Sequence, residues 1–320
     1  MKNYLEFKNK TKLRAIKNIA LVTLLTFFLQ SCNKDEYEVI NNVETIPTSQ
    51  DLKNLFNTKL TSLTENITFD ASTTLNYTSP KGVQMSIDGS CLRKNGNPVV
   101  GEVNVKYIEI FDKGNMLTSN KATLGNLSGN KELLYSGGEF YIQASQDNVN
   151  LTLSCPISLN VPTSLTGGPQ PGMQPFTGTI DSNGDLSWDL ATSFDLVLNT
   201  QTAMPVYAAL IPSFGWFNCD RYSSYVGPKT TITAQVPAGY GANSSIFLTV
   251  KTFPNALGKS YGQFPVGLDC YLIFVTEKDG KFRYAIKPQI LNTNHQVTFS
   301  LSETTIATAA ELTAIINALP

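Results

Sequence analysis

The sequence predicts a mainly β protein: two consecutive antiparallel β-sandwich-like domains, with a short N-terminal helix and a C-terminal helix. Three observations carry this. Apolar and polar residues alternate with period two through most of residues 67–303, the pattern of strands buried on one face. Clusters of Gly, Pro, Asn and Asp interrupt the alternation at short intervals, as turns require. Clear helical spacing in the mature chain is confined to its two ends. An aromatic content of 10% and a charged content of 15% exclude a disordered chain.

The elements follow in order. Residues 1–31 carry six cations against one acid, then a short apolar stretch from Ile19 to Leu29. That stretch is too short for a span of about 20 helical residues, and the arrangement reads as a secretion signal. It ends Leu29-Gln30-Ser31-Cys32, which resembles a bacterial lipoprotein signal. The resemblance implies cleavage before Cys32 and acyl chains, such as palmitate, on that cysteine. At about 0.8 kcal/mol per buried CH2, several chains anchor a protein firmly. The alternative is a plain signal peptide with Cys32 incidental. Lys34, Asp35 and Glu36 follow, similar to the surface-export signal of Bacteroidetes lipoproteins. Read plainly, they are a solvated charged tether. Residues 32–49 are polar and form the lipidated tether.

Leu52, Leu55, Phe56, Leu60 and Leu63 recur at helical spacing, giving a helix over about 50–64. With the alternating segments 73–79, 82–88, 101–111, 138–145 and 149–155 it makes the first domain, residues 50–163. Asn95–Pro98 and Ser136-Gly137-Gly138 read as turns, since Gly and Asn tolerate positive φ. Residues 164–178 are rich in Pro and Gly and read as a linker or crossover. The second domain is 179–320. It opens with a hairpin around Asn183-Gly184 and holds the clearest hairpin, 270–288, around Asp279-Gly280. Its tail, 304–319, is a Thr-capped helix with Ile306, Ala309, Leu312, Ile315, Ile316 and Leu319 on one face.

The strand Val103–Phe111 with Glu109, then Met116-Leu117, Asn120, Thr123, Leu133-Leu134, Ser136-Gly137-Gly138 and Phe140-Tyr141 resemble a region of uncharacterised Bacteroidetes lipoproteins, flavobacterial ones especially. Phe214–Tyr222 and the closing Leu312–Leu319 resemble the same chains. The likeness covers about residues 65–319 and implies fold and location, with no activity to carry over.

Chemistry is sparse. The one histidine, His295, lies in a polar stretch and reads as a surface turn residue, so no His-based triad or His-rich zinc site is expected. No catalytic residue, metal or cofactor is assigned. Asp195, Asp220, Asp269 and Glu277 are acids without an evident pairing. Asp181–Asp185 alternates oxygen ligands as a calcium loop does, but position twelve is Thr192 instead of an acid, which favours a hairpin. Cys91, Cys155, Cys219 and Cys270 form an even set in an oxidising compartment. The domain split suggests Cys91–Cys155 and Cys219–Cys270, and four buried thiols is the other reading. Trp216, Phe217, Tyr222 and Tyr225 crowd one segment, either as core or as a platform for sugar rings.

Without residues 1–31 the net charge of −1 becomes −6, which argues against a nucleic-acid partner. The expected function is therefore a lipid-anchored protein of the outer membrane, surface-exposed, with a non-catalytic binding or structural role. Its partners are the membrane, through the lipid anchor, and a surface glycan or envelope protein. The alternatives are a glycan-binding accessory of a polysaccharide-uptake system using residues 214–225, and a carboxylate-based hydrolase.

Overall fold

Strand follows strand from Glu65 onward, because the period-two segments pair as the alternation demands. The computed structural model describes residues 44–201, 204–223, 225–251, 253 and 255–320. Cys32, Lys34, Asp35 and Glu36 lie outside the described residues, as do the signal and most of the tether. Ile46–Pro320 forms one unit by its internal contacts. Among the described residues no helix is long and apolar enough to cross a membrane.

The main sheet has eight strands. Its path runs Glu65–Asp70, Glu102–Ile110, Asn130–Gln146, Gly215–Tyr222, Gln174–Ile180, Leu186–Leu190 and Leu124–Leu127. The last of these pairs again with Asn130–Gln146, so five strands close into a ring. A second sheet has five strands: Leu196–Asn199, Val206–Ile211, Ile157–Pro162, Gln84–Asp88 and Thr74–Thr78. It faces the main sheet across one core. Val105, Phe140, Ile142 and Phe217 meet Met85, Leu159 and Tyr207 there, and the Phe140 and Phe217 rings stack at 5.2 Å.

A third sheet, also of five strands, is built on the hairpin Asp269–Lys278 and Lys281–Ile290. Asp279 and Gly280 turn it with φ of 51° and 75°, the positive values that an Asp-Gly turn supplies. Leu272, Ile273, Phe274 and Val275 are all buried, because both faces of this strand are covered. The helix Ser49–Ser62 buries Leu52 and Phe56 in this core, Phe56 against Phe247 and Phe282, each buried side chain contributing about 2 kcal/mol. The helix Ala309–Asn317 buries Leu312 and Ile316 in the same core. It starts later than the expected 304–319: Thr308 caps it, and Ile306 is exposed and belongs to the edge strand Thr305–Ala307.

The fold is mainly β with a helix near each end, as the periodicity indicates. The division into two sandwiches differs. Gln174–Ile180 begins inside the Pro/Gly-rich segment 164–178 and pairs with Gly215–Tyr222, which pairs with Asn130–Gln146. One sheet therefore draws on both 50–163 and 179–320, and the segment between them is a crossover. Ser136-Gly137-Gly138 is likewise no turn. It lies within the strand Asn130–Gln146, opposite a bulge between Asn218 and Asp220. A side chain at Gly137 would come within 2.3 Å of the Cys219 carbonyl oxygen, which explains the glycine. A short helix, Lys113–Thr118, was not expected; Asp112 caps it.

Cys91 and Cys155 are disulfide-bonded, with Cα atoms 5.5 Å apart. Cys219 and Cys270 are free and buried. They face different cores, Cys219 the sandwich and Cys270 the third sheet, so the expected Cys219–Cys270 bond does not form.

Candidate functional site

Three loops converge where the main sheet meets the third sheet and the first helix. Asn120 follows the helix Lys113–Thr118 in a left-handed conformation, φ 57°. Asp185 ends the hairpin turn Asp181–Asp185, in which the Asp181 carboxylate accepts from the Asn183 and Asp185 backbone N–H groups. Lys259 ends the short strand Leu257–Lys259. Lys259 Nζ lies 2.5 Å from Asp185 Oδ1 and 3.0 Å from Asn120 Oδ1. Asn120 Nδ2 closes the triangle, donating to Asp185 Oδ1 at 2.9 Å. The Lys259 ammonium also sits 5.2 Å from the Phe247 ring centre and 5.7 Å from that of Tyr261.

This network lines a half-open cleft of about 590 Å³. The size falls in the ~300–1,000 Å³ range of small-molecule sites. Leu52, Phe56 and Ile246 give it apolar lining; Ser245, Ser260, Asn183 and Tyr261 give it polar groups. Burial would raise the Asp185 carboxyl, but Lys259 and Asn120 outweigh it and hold the group below the usual carboxylate range. Burial lowers Lys259, and Asp185 opposes that shift.

Behind the cleft the main sheet encloses a second polar group. Glu139 and Asp220 are both 0% exposed. Burial pushes each well above the carboxylate range; for Glu139 the Asp220 charge adds to this and Lys121 opposes it. Asp220 accepts from the Gly137 N–H at 3.1 Å and from Asn218 Nδ2. Among the described residues neither Glu139 oxygen has a hydrogen-bond partner. Lys121, buried beside Trp216, is lowered by desolvation to about 8.

The residues singled out by sequence fall elsewhere. Trp216 and Phe217 are buried, Trp216 against Tyr141 and Trp188. Tyr222 is half-buried and donates to the Asn126 carbonyl, while Tyr225 alone of the four is exposed. The segment 214–225 therefore offers no aromatic platform: both faces of this central strand are covered, Trp216 packing in one core and Phe217 in the other. Asp269 pairs with Lys251 at 2.7 Å, and Glu277 accepts from the Gly280 N–H in its own hairpin. Asp195 lines a separate hollow of about 550 Å³ beside Val197 and Leu210. These acids do not meet. His295 is buried, not a surface turn residue, because it opens a strand paired in parallel with Ile232–Gln235. Its Nδ1 accepts from the Asn292 N–H. Among the described residues no group of three or more His, Cys, Asp or Glu side chains is placed to hold a metal ion.

Lys259 carried no motif in the sequence, and Asn120 stood among the residues of the lipoprotein resemblance without a role. Asp185 carried one, as part of a turn signal, and the hairpin reading of Asp181–Asp185 holds. No family model matches this chain, and no curated protein matches it at significant similarity.

Proposed function

We propose that this protein is a lipid-anchored outer-membrane protein, exposed at the cell surface, that binds a small ligand without transforming it. The observation that carries the binding role is the Lys259–Asp185–Asn120 triangle, held at the cleft by hydrogen bonds among three distant segments. A site whose polar groups are already fixed loses little freedom when a ligand arrives. The non-catalytic reading rests on the acids with raised pKa values. Glu139 and Asp220 are sealed inside the main sheet and do not reach a substrate. The location rests on the signal, on Cys32, and on the likeness of residues 65–319 to Bacteroidetes lipoproteins.

Two experiments test this. Protease shaving of intact cells, with lipid labelling and a Cys32→Ala control, tests the location. Loss of the wild-type protein, and release of the Cys32→Ala form from membranes, is expected. Protection of the wild type in intact cells overturns the surface assignment. Binding is tested by thermal shift against a library of saccharides, organic acids, amino acids and nucleotides. At least one class is expected to raise the Tm of the wild type and not of Ala242→Trp, which sets an indole on the exposed cleft lining. No shift with any class overturns the binding role.

A further inference from the structure

We infer that the cleft recognises a neutral saccharide unit. This rests on the binding role proposed above and names the ligand class. Lysine has three N–H donors, and Lys259 spends two, on Asp185 Oδ1 and Asn120 Oδ1. Its third has no oxygen or nitrogen acceptor among the described residues. Asp185 Oδ1 takes both Lys259 and Asn120, whereas Oδ2 accepts no hydrogen bond among the described residues. A spare donor and a spare acceptor thus stand side by side in one ion pair. Two vicinal hydroxyls fit them: one donates to Asp185 Oδ2 and its neighbour accepts from Lys259 Nζ.

The charge balance selects against other ligands. Lys259 is already neutralised by Asp185, and Lys53, the other cation of the lining, donates to the Ser182 carbonyl at 3.4 Å, so a phosphate or carboxylate entering beside the ion pair meets the Asp185 charge at close range. A purely apolar ligand would leave both spare groups unpaired, at a cost for each. Tyr261 supplies the remaining feature. Its ring lines the cleft beside Lys259 and is 41% exposed. An aromatic face of this kind covers the C–H face of a pyranose while the ion pair holds its hydroxyls. Ser245 and Ser260 add hydroxyls that serve as donor or acceptor.

The test is a titration of the mature chain in detergent, followed by saturation-transfer NMR and calorimetry. The probes are glucose, galactose, mannose, N-acetylglucosamine and their disaccharides, with inorganic phosphate, glycine and AMP as comparators. Saccharide binding is expected, weakened at least tenfold by Asp185→Asn and by Tyr261→Ala. Tyr261→Phe, which keeps the ring, is expected to stay within threefold of the wild type. The exposed Tyr261 variants keep the test decisive if Asp185→Asn fails to fold. Binding of phosphate, glycine or AMP alone overturns the saccharide assignment and leaves the binding role standing. Saccharide binding that survives both Asp185→Asn and Tyr261→Ala overturns the site. No binding by any probe, together with a silent library screen, overturns both.

Discussion

Lys259 Nζ and Asp185 Oδ1 lie 2.5 Å apart and join segments 74 residues distant in the chain. Their side chains are only 8% and 17% exposed. Removing one partner leaves the other charge buried without compensation, which costs about 3 kcal/mol or more. Asp185→Asn and Lys259→Met should each lose that much in urea unfolding. The double variant should lose clearly less than the sum, since neither charge remains. Additive losses would show that the pair is not coupled. The pair also sets an acid dependence. A carboxyl held below its unfolded value stabilises the fold above the usual carboxylate range, and that contribution is lost as pH falls through the lowered value. Asp185→Asn should therefore have the shallower acid limb.

Glu139 should behave in the opposite sense. Burial, with the Asp220 charge, raises its carboxyl in the fold. The folded state therefore holds the proton more tightly than the unfolded chain. Its stability contribution is full below the usual carboxylate range and is lost as pH rises toward the raised value. Glu139→Gln has no proton to lose. It should be more stable than the wild type at pH 7, with a shallower fall in Tm from pH 5 to 7.5 by calorimetry. Destabilisation at pH 7 would mean that Glu139 serves as the ionised partner of Lys121.

The alkaline side carries a separate signature from Lys121. Burial lowers it to about 8 from the ordinary lysine value of 10.5. Between those values the folded chain has released a proton that the unfolded chain still binds, so stability rises with pH there. Lys121→Met should flatten that rise. An unchanged slope between pH 8 and 10 would refute the assignment.

The Cys91–Cys155 bond closes a loop with a sequence separation of 64. In the chain-entropy account such a loop contributes about 4 kcal/mol. Cys91→Ser should lower the urea midpoint accordingly, and dithiothreitol should lower the wild type to the same value. Cys219 and Cys270 are buried thiols, and burial pushes Cys270 up to about 12. Both should resist a thiol reagent in the native protein and react after unfolding. Labelling of either in the native state would contradict their burial.

Gly114 is the contact point between two helices. Its N–H donates to Asn317 Oδ1 at 2.8 Å, and a side chain there would sit 2.3 Å from the Thr313 carbonyl oxygen. Gly114→Ala should push the helix Ala309–Asn317 away and cost about 1–3 kcal/mol, as overpacking does. Hydrogen exchange should show faster opening of that helix first. Wild-type protection in the variant would show that the contact is not tight.

Much of the fold was legible because its signals are local. The Asp279-Gly280 hairpin, the Thr308-capped helix and the alternation in Glu102–Ile110 need only neighbouring residues to be recognised. Ser136-Gly137-Gly138 misled for the same reason: glycine marks a turn or a close approach, and only the Cys219 carbonyl decides which. The parallel pairing of Ile232–Gln235 with His295–Thr298 has no local trace either, and it buries the histidine. The site was illegible because it is assembled across distance. Asn120 and Lys259 lie 65 and 74 residues from Asp185, and nothing in any one segment shows that the three side chains meet.

The Gly114–Asn317 contact spans 203 residues. Synthesis delivers the chain from its N-terminus at about 5–20 residues per second. Roughly ten to forty seconds thus separate the appearance of the two partners. Throughout that interval the helix Lys113–Thr118 has no counterpart, and the closing strand Gly215–Tyr222 arrives only about half-way through it. The core that Leu312 and Ile316 complete cannot close until the helix Ala309–Asn317 has emerged.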